Sequence, residues 1–213
     1  VTPETIRYLW EKLMQRYVLW GVILLLGGAL LLVGLFWNPA GQEPPKHQVL
    51  SLQAKPTGGD FTLVSANGPL SLSDLHGQVV VLYFGYTWCP DICPTSLGML
   101  SMALNELNEA EQEGLQVLFI SVDPERDSIE RLEEYSHYFH PKILGVTGSA
   151  EVLADVAKKY GAAYRRVEQP SETNYVVDHS ADLYLIDRQG VLRETLSHGT
   201  EPEAILAALR RLL

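Results

Sequence analysis

Cysteine is nearly absent, with two in 213 residues, Cys89 and Cys93. A scaffold of several disulfides is excluded, and any thiol or soft-metal chemistry must use that one pair. Basic residues are also scarce: 16 Lys plus Arg face 26 Asp plus Glu, a net charge of -10. From residue 37 onward the balance is 13 against 24. A nucleic-acid backbone demands a basic surface, so nucleic-acid binding is excluded. There is no polybasic patch to grip anionic lipid. The acidic balance implies solubility first, and a basic partner or cationic ligand second. No internal repeat or low-complexity tract is visible.

Charge is missing altogether between Arg16 and Glu43. Within that gap Tyr17 to Trp37 is a run of 21 mostly apolar residues, which at about 1.5 Å per residue reaches roughly 30 Å, the thickness of a bilayer core. Tyr17, Trp20, Phe36 and Trp37 put aromatic rings near both interfaces, and Pro39 and Gly41 stop the helix. A buried core helix or a signal peptide would be the alternatives. The run is longer than an ordinary signal core, and no small-x-small cleavage site follows closely. Arg7, Lys12 and Arg16 precede it against Glu4 and Glu11, so the positive-inside rule predicts a cytoplasmic N-terminus and an exported remainder. The expected organisation is a tail at 1–16, a transmembrane anchor at 17–37, a polar Pro/Gly-rich spacer at 38–59 and one domain at 60–213. Val1 leaves open whether the tail is complete.

Within the domain, Phe61–Val64 and Leu70–Leu72 flank Asn67-Gly68 and predict a short hairpin. Val79–Phe84 is continuously apolar, the pattern of a central strand covered on both faces. Leu97, Leu100, Leu104 and Leu107 recur at helical spacing between Thr95 and about Glu109, with Thr95 as a candidate cap. A strand at 115–122, a helix after Asp127, a strand at 143–146 and a helix from Ser149 to Tyr160 follow. Residues 162–178 read as less regular, with an exposed loop at Pro170, Ser171 and Glu172. A hairpin turning at 187–190 and a helix over 202–213 complete the chain. This alternation predicts an α/β fold of thioredoxin-like type, a central sheet flanked by helices, plus the N-terminal transmembrane helix.

Cys89 and Cys93 lie where a buried strand delivers the chain to a helix. A helix N-terminus offers free N–H groups and partial positive charge, which favour thiolate, the species that attacks disulfides and binds soft metals. A structural disulfide would close a tiny loop and gain little. Cys-x-x-Cys is the usual exchange sequence, and the extra residue here widens the bite. Two thiolates with an imidazole would suit Cu(I), while Cys and His could also bind zinc. Six histidines are available: His47, His76, His137, His140, His179 and His198. His179, in Asp178-His179-Ser180 before a hairpin strand, is best placed to face another strand-end loop.

Three ordered segments carry a specific likeness: Phe84-Gly85-Tyr86-Thr87-Trp88-Cys89-Pro90-Asp91-Ile92-Cys93-Pro94, Ser121-Val122-Asp123-Pro124-Glu125-Arg126-Asp127, and Tyr175-Val176-Val177-Asp178-His179-Ser180. The similarity extends through Leu183–Asp187 and covers nearly the whole domain, which resembles the Sco/SenC family of membrane-anchored copper proteins that assist cytochrome c oxidase assembly. The resemblance implies copper as cofactor, Cys89, Cys93 and His179 as its ligands, and delivery to the dinuclear copper centre of cytochrome c oxidase subunit II. It also implies a single-pass protein of a bacterial inner membrane, its domain in the periplasm, with a periplasmic copper donor or thiol reductant as a further partner. Trp88 stands where relatives often carry a histidine. Asp178 is read as tuning the site or capping its loop, and Asp123 and Asp127 as bonding the loop and helix start. Tyr86, Trp88 and Ile92 are read as an apolar rim or as core. The rival reading makes Cys89 the nucleophile and Cys93 the resolving thiol of a thiol-disulfide oxidoreductase acting on the acceptor's cysteines. A redox or copper sensor is a third reading. Copper delivery needs no bond-making turnover, so whether the chain is an enzyme stays open.

Overall fold

The computed structural model describes residues 3–36, 56–168 and 175–213, in two units spanning 1–49 and 50–213. Residues 38–55 of the expected spacer, and the loop expected around Pro170–Glu172, lie outside the described residues. Among the described residues the first unit is one helix, α1 (Pro3–Phe36), which runs through the expected tail and through the expected anchor as far as Phe36. Pro3 opens it where a backbone N–H would have no helical partner. Leu13–Leu32 has a mean hydropathy of 1.7 and is long and apolar enough to cross a membrane. Its apolar side chains are exposed, and a helix satisfies its own backbone, as a lipid surrounding requires.

In the second unit the continuous apolar run becomes β3 (Val79–Gly85), every residue of it buried. It sits at the centre of a five-stranded sheet of order β5-β4-β3-β8-β9, with β4 (Leu115–Ser121), β5 (Ile143–Val146), β8 (Leu183–Ile186) and β9 (Leu192–Leu196). β3 pairs parallel with β4 and antiparallel with β8, and β4 pairs parallel with β5. Around this mixed sheet lie α2 (Ile92–Asn105), α3 (Glu109–Glu113), α4 (Ile129–Phe139), α5 (Ala150–Tyr160) and α6 (Pro202–Leu212). Leu97, Leu100 and Leu104 of α2 are fully buried, and α2 packs on α6, whose Ile205, Ala208 and Leu209 are buried. Each such leucine contributes about 1.5–3 kcal/mol by leaving water. The expected hairpin forms as β1 (Thr62–Ser65) and β2 (Gly68–Ser71). This is the thioredoxin-like arrangement expected from the sequence, with its central sheet flanked by helices.

Three local readings are corrected. The helix expected from Thr95 to Glu109 begins earlier and breaks into α2 and α3. Asn108 accepts from the Glu111 N–H while the Glu111 carboxylate accepts from the Asn108 N–H, and this reciprocal cap starts a new helix. Thr95 is not a cap: its hydroxyl donates back to the Asp91 carbonyl at 2.9 Å, one turn earlier. The described parts of 162–178 are more regular than expected, since β6 (Tyr164–Glu168) and β7 (Tyr175–His179) pair antiparallel as a separate two-stranded sheet. Arg165 and Asp178, two of the charged residues that interrupt the apolar alternation, pair across it at 3.0 Å.

Gly145 of β5 lets α4 approach the sheet closely: a Cβ there would lie 2.6 Å from the Leu132 carbonyl oxygen and 2.7 Å from its carbon. Backbone cannot yield as a side-chain tip can. Gly145→Ala is expected to destabilise the domain by about 1–3 kcal/mol, read in detergent solution as a lower denaturant midpoint at unchanged slope. An unmoved midpoint would contradict the packing described.

Candidate metal centre

β3 ends at Gly85, where the chain leaves the sheet for the N-terminus of α2. The connecting loop is held from below. Asp127, 2% exposed, accepts from the Thr87 N–H (2.9 Å), the Thr87 hydroxyl (2.6 Å) and the Ser121 hydroxyl (2.7 Å). Arg131 Nε donates to Thr87 Oγ1 at 2.6 Å. A buried carboxylate is tolerated because its lone pairs are satisfied, and here they fix the backbone two residues before Cys89. The expected role of Asp127 in loop bonding takes this form, and Asp123 likewise bonds Arg126 and the Tyr175 hydroxyl.

Cys93 is the second residue of α2 and fully buried; Cys89, in the loop, is 9% exposed; both are free thiols. His179, the last residue of β7 rather than a loop residue, brings Nε2 to 3.3 Å from Cys93 Sγ. The two sulfurs and one imidazole nitrogen all lie within 4.8 Å of one another. His179 Nδ1–H donates to the Ser180 carbonyl at 3.0 Å, the tautomer that leaves a lone pair on Nε2 facing the sulfurs. The imidazole meets the Tyr83 and Tyr86 rings edge to face at 6.3 and 5.7 Å. The three residues singled out in the sequence are thus brought together.

The other candidates are elsewhere. His198 Nδ1 lies 2.9 Å from Ser96 Oγ on the surface, and buried His140 accepts from the Lys142 N–H at 3.0 Å. His76 and His137 are exposed, and His47 lies outside the described residues. Asp178 is paired within its own hairpin and does not join the cluster. Strand alternation turns it away from its neighbour His179, toward the exposed Arg165. Trp88 is 55% exposed beneath the Arg131 guanidinium, whereas Tyr86 is both core and wall. The reasoning from sequence missed Gly85: a Cβ there would meet Cys93 Sγ at 2.7 Å and Phe119 at 2.8 Å. Its signal was a glycine closing a run of bulky residues.

The environment divides the thiols. The Cys93 thiol as donor, helped by the Cys93 and Asp91 N–H groups, holds Cys89 down at about 4 against the burial that opposes it. Burial, then the neighbouring Cys89 sulfur, pushes Cys93 well up. At neutral pH the reduced pair therefore carries one thiolate, on Cys89, and one proton. Such a pair can attack a disulfide or, by losing that proton, offer two sulfur ligands beside a neutral imidazole. Donors of this softness suit Cu(I) and also Zn.

Residues 50–213 match the family described as SCO1/SenC. The chain belongs to the SCO1/SenC family. It is 40% identical to the SCO2 homologue of Bos taurus mitochondria over 80% of this chain and 65% of that one. The chain thus spans slightly under two thirds of this relative's length. A SCO2-like protein of Rickettsia conorii is 41% identical over 72% and 75% of the two chains. Among solved structures, Thermus thermophilus apo Sco1 is 38% identical with a TM-score of 0.68, covering 75% of this chain and 93% of that one. Bradyrhizobium japonicum ScoI with copper bound is 35% identical with a TM-score of 0.67, covering 73% and 99%.

In the reduced, metal-free protein, alkylation of Cys89 is expected to be nearly flat from about pH 6 to about pH 8 and to fall only toward about pH 4. The sign follows from the lowered value, which keeps the thiolate populated throughout that range. Cys93 is expected to resist until the domain unfolds. A Cys89 rate rising about tenfold per pH unit through neutrality, as for an ordinary thiol, would contradict the environment described.

Proposed function

We propose that Cys89, Cys93 and His179 together bind Cu(I), and that the chain carries this copper to the dinuclear copper centre of cytochrome c oxidase subunit II. The observation that carries the reading is the convergence of two sulfurs and one imidazole nitrogen within 4.8 Å, in a family with a copper-bound member of the same fold. Two soft thiolates and one neutral imidazole satisfy Cu(I), while Cu(II) would seek a further donor or a changed geometry. Copper is here cargo. The sulfurs hold it, Cys89 already ionised and Cys93 yielding its proton on binding, and His179 closes the set through Nε2. At the acceptor, incoming thiolates replace these ligands one at a time, so that copper is never free.

The apolar helix supports an anchor at 17–37, followed by a spacer at 38–59 and the copper domain at 60–213. Arg7, Lys12 and Arg16 ahead of the helix favour a cytoplasmic N-terminus. In a bacterial inner membrane the domain would then stand in the periplasm beside its acceptor, where tethering raises encounter frequency. A periplasmic copper donor or thiol reductant would charge it.

One observation favours a second reading. The unequal thiols, an ionised Cys89 over a protonated Cys93, are what a nucleophile and its resolving partner require. Anaerobic transfer from the copper-loaded full chain in detergent to reduced subunit II, with the metal followed on both proteins, separates the two. Delivery predicts complete transfer from the parent, no stable loading in Cys89→Ser or Cys93→Ser, and affinity reduced about 10–100-fold in His179→Ala. Absence of transfer, with efficient reduction of the oxidised acceptor by the metal-free dithiol form and little effect of His179→Ala, would assign the chain to thiol-disulfide exchange.

A further inference from the structure

His179 reaches the cysteines on a hairpin that shares no strand ladder with the main sheet. Side chains from the loops after β3 and β4 fasten it instead. Tyr175, at the start of β7, donates its hydroxyl to Asp123 Oδ1 at 2.6 Å, and its carbonyl accepts from Arg126 Nη1 at 2.9 Å. Arg126 Nε in turn donates to Asp123, closing a circuit of three residues. The Tyr175 ring lies beneath two cations, Arg126 Cζ and Arg166 Cζ, each 3.6 Å from its centroid. Arg166 is also paired to Glu125 of the same loop at 3.0 Å.

Two residues along, the Val177 N–H donates to Tyr86 Oη at 3.3 Å. The Tyr86 ring faces the Arg126 guanidinium at 5.4 Å and the His179 ring at 5.7 Å. Arg126 therefore stacks on the anchor of β7 and on the wall of the histidine. Residues 175, 177 and 179 lie on one side of the strand, so fixing the first two sets the direction of the third. Asp123 is 4% exposed and would be costly without its two donors. Burial, with Asp123 adjacent, pushes the Tyr175 phenol up to about 12, so it remains a donor.

We propose that Tyr175, Arg126 and Asp123 form a latch that positions His179 over Cys89 and Cys93. These are positioning residues, not ligands, and what the placed histidine then does rests on the copper reading above.

The test uses the full chain in detergent, with Arg126→Gln and Tyr175→Phe. In the reduced, metal-free state, amide exchange over 175–180 is expected to accelerate about tenfold or more, while β3 and β4 keep their protection. Cu(I) affinity, by competition with a chromophoric chelator, is expected to fall about tenfold in Arg126→Gln. The same substitution in a His179→Ala background is expected to add nothing, because both changes remove one interaction. Unchanged exchange over 175–180 overturns the latch, and so does an equal loss of affinity in the His179→Ala background. Accelerated exchange with copper affinity indifferent to His179→Ala would uphold the latch and remove the histidine from the metal site, which separates the two failures. Should Arg126→Gln also lose protection in β3 and β4, Tyr175→Phe, which deletes a single hydroxyl, decides the matter by its exchange over 175–180.

Discussion

The contact on which the site depends is the 3.3 Å approach of Cys93 Sγ to His179 Nε2, between residues 86 positions apart in sequence. One partner sits on a helix rooted in the core. The other rides on a hairpin tied to that core by side chains. Everything that gives the pair its chemistry follows from holding them together away from water. Burial keeps the Cys93 proton on, that proton stabilises the Cys89 thiolate, and the Ser180 carbonyl turns the imidazole lone pair inward. In water the same three groups would act independently.

Two kinds of support meet at this contact. Beneath the cysteines it is rigid: a fully buried strand, a glycine with no room for a methyl, and a carboxylate accepting three hydrogen bonds. Above them it is polar and partly exposed, made of stacked guanidinium and phenol groups. The proposed copper delivery would need this combination, because ligands that hold copper must also let it go. On the copper reading proposed above, the sulfurs would give affinity, and the histidine, on the less deeply rooted element, would be the ligand whose geometry the protein can adjust at least cost.

Much of this was legible in the sequence where periodicity and composition speak strongly. The continuous run Val79–Phe84, the leucines of α2 and the uncharged stretch after Arg16 each impose one reading, and the strands and helices they imply are present. The convergence of Cys89, Cys93 and His179 was also legible, because two cysteines at a strand-to-helix junction leave few choices and the ordered segments around them resemble a family. What escaped depends on contacts between distant residues. The β6–β7 hairpin reads as irregular because Arg165, Arg166 and Asp178 break the alternation, and only the fold supplies their partners. The break between α2 and α3 was decided by one reciprocal cap, and the need for glycine at 85 by a sulfur eight residues on. Thr95 failed as a cap because its hydroxyl found a carbonyl one turn back.

The central claim is that two sulfurs and one imidazole act as a single copper site. X-ray absorption of the full chain loaded anaerobically with one Cu(I) measures that coordination without reference to transfer. The account predicts two sulfur scatterers and one imidazole nitrogen in the parent, with the nitrogen component lost in His179→Ala. A two-sulfur linear site, identical in the parent and in His179→Ala, would contradict it.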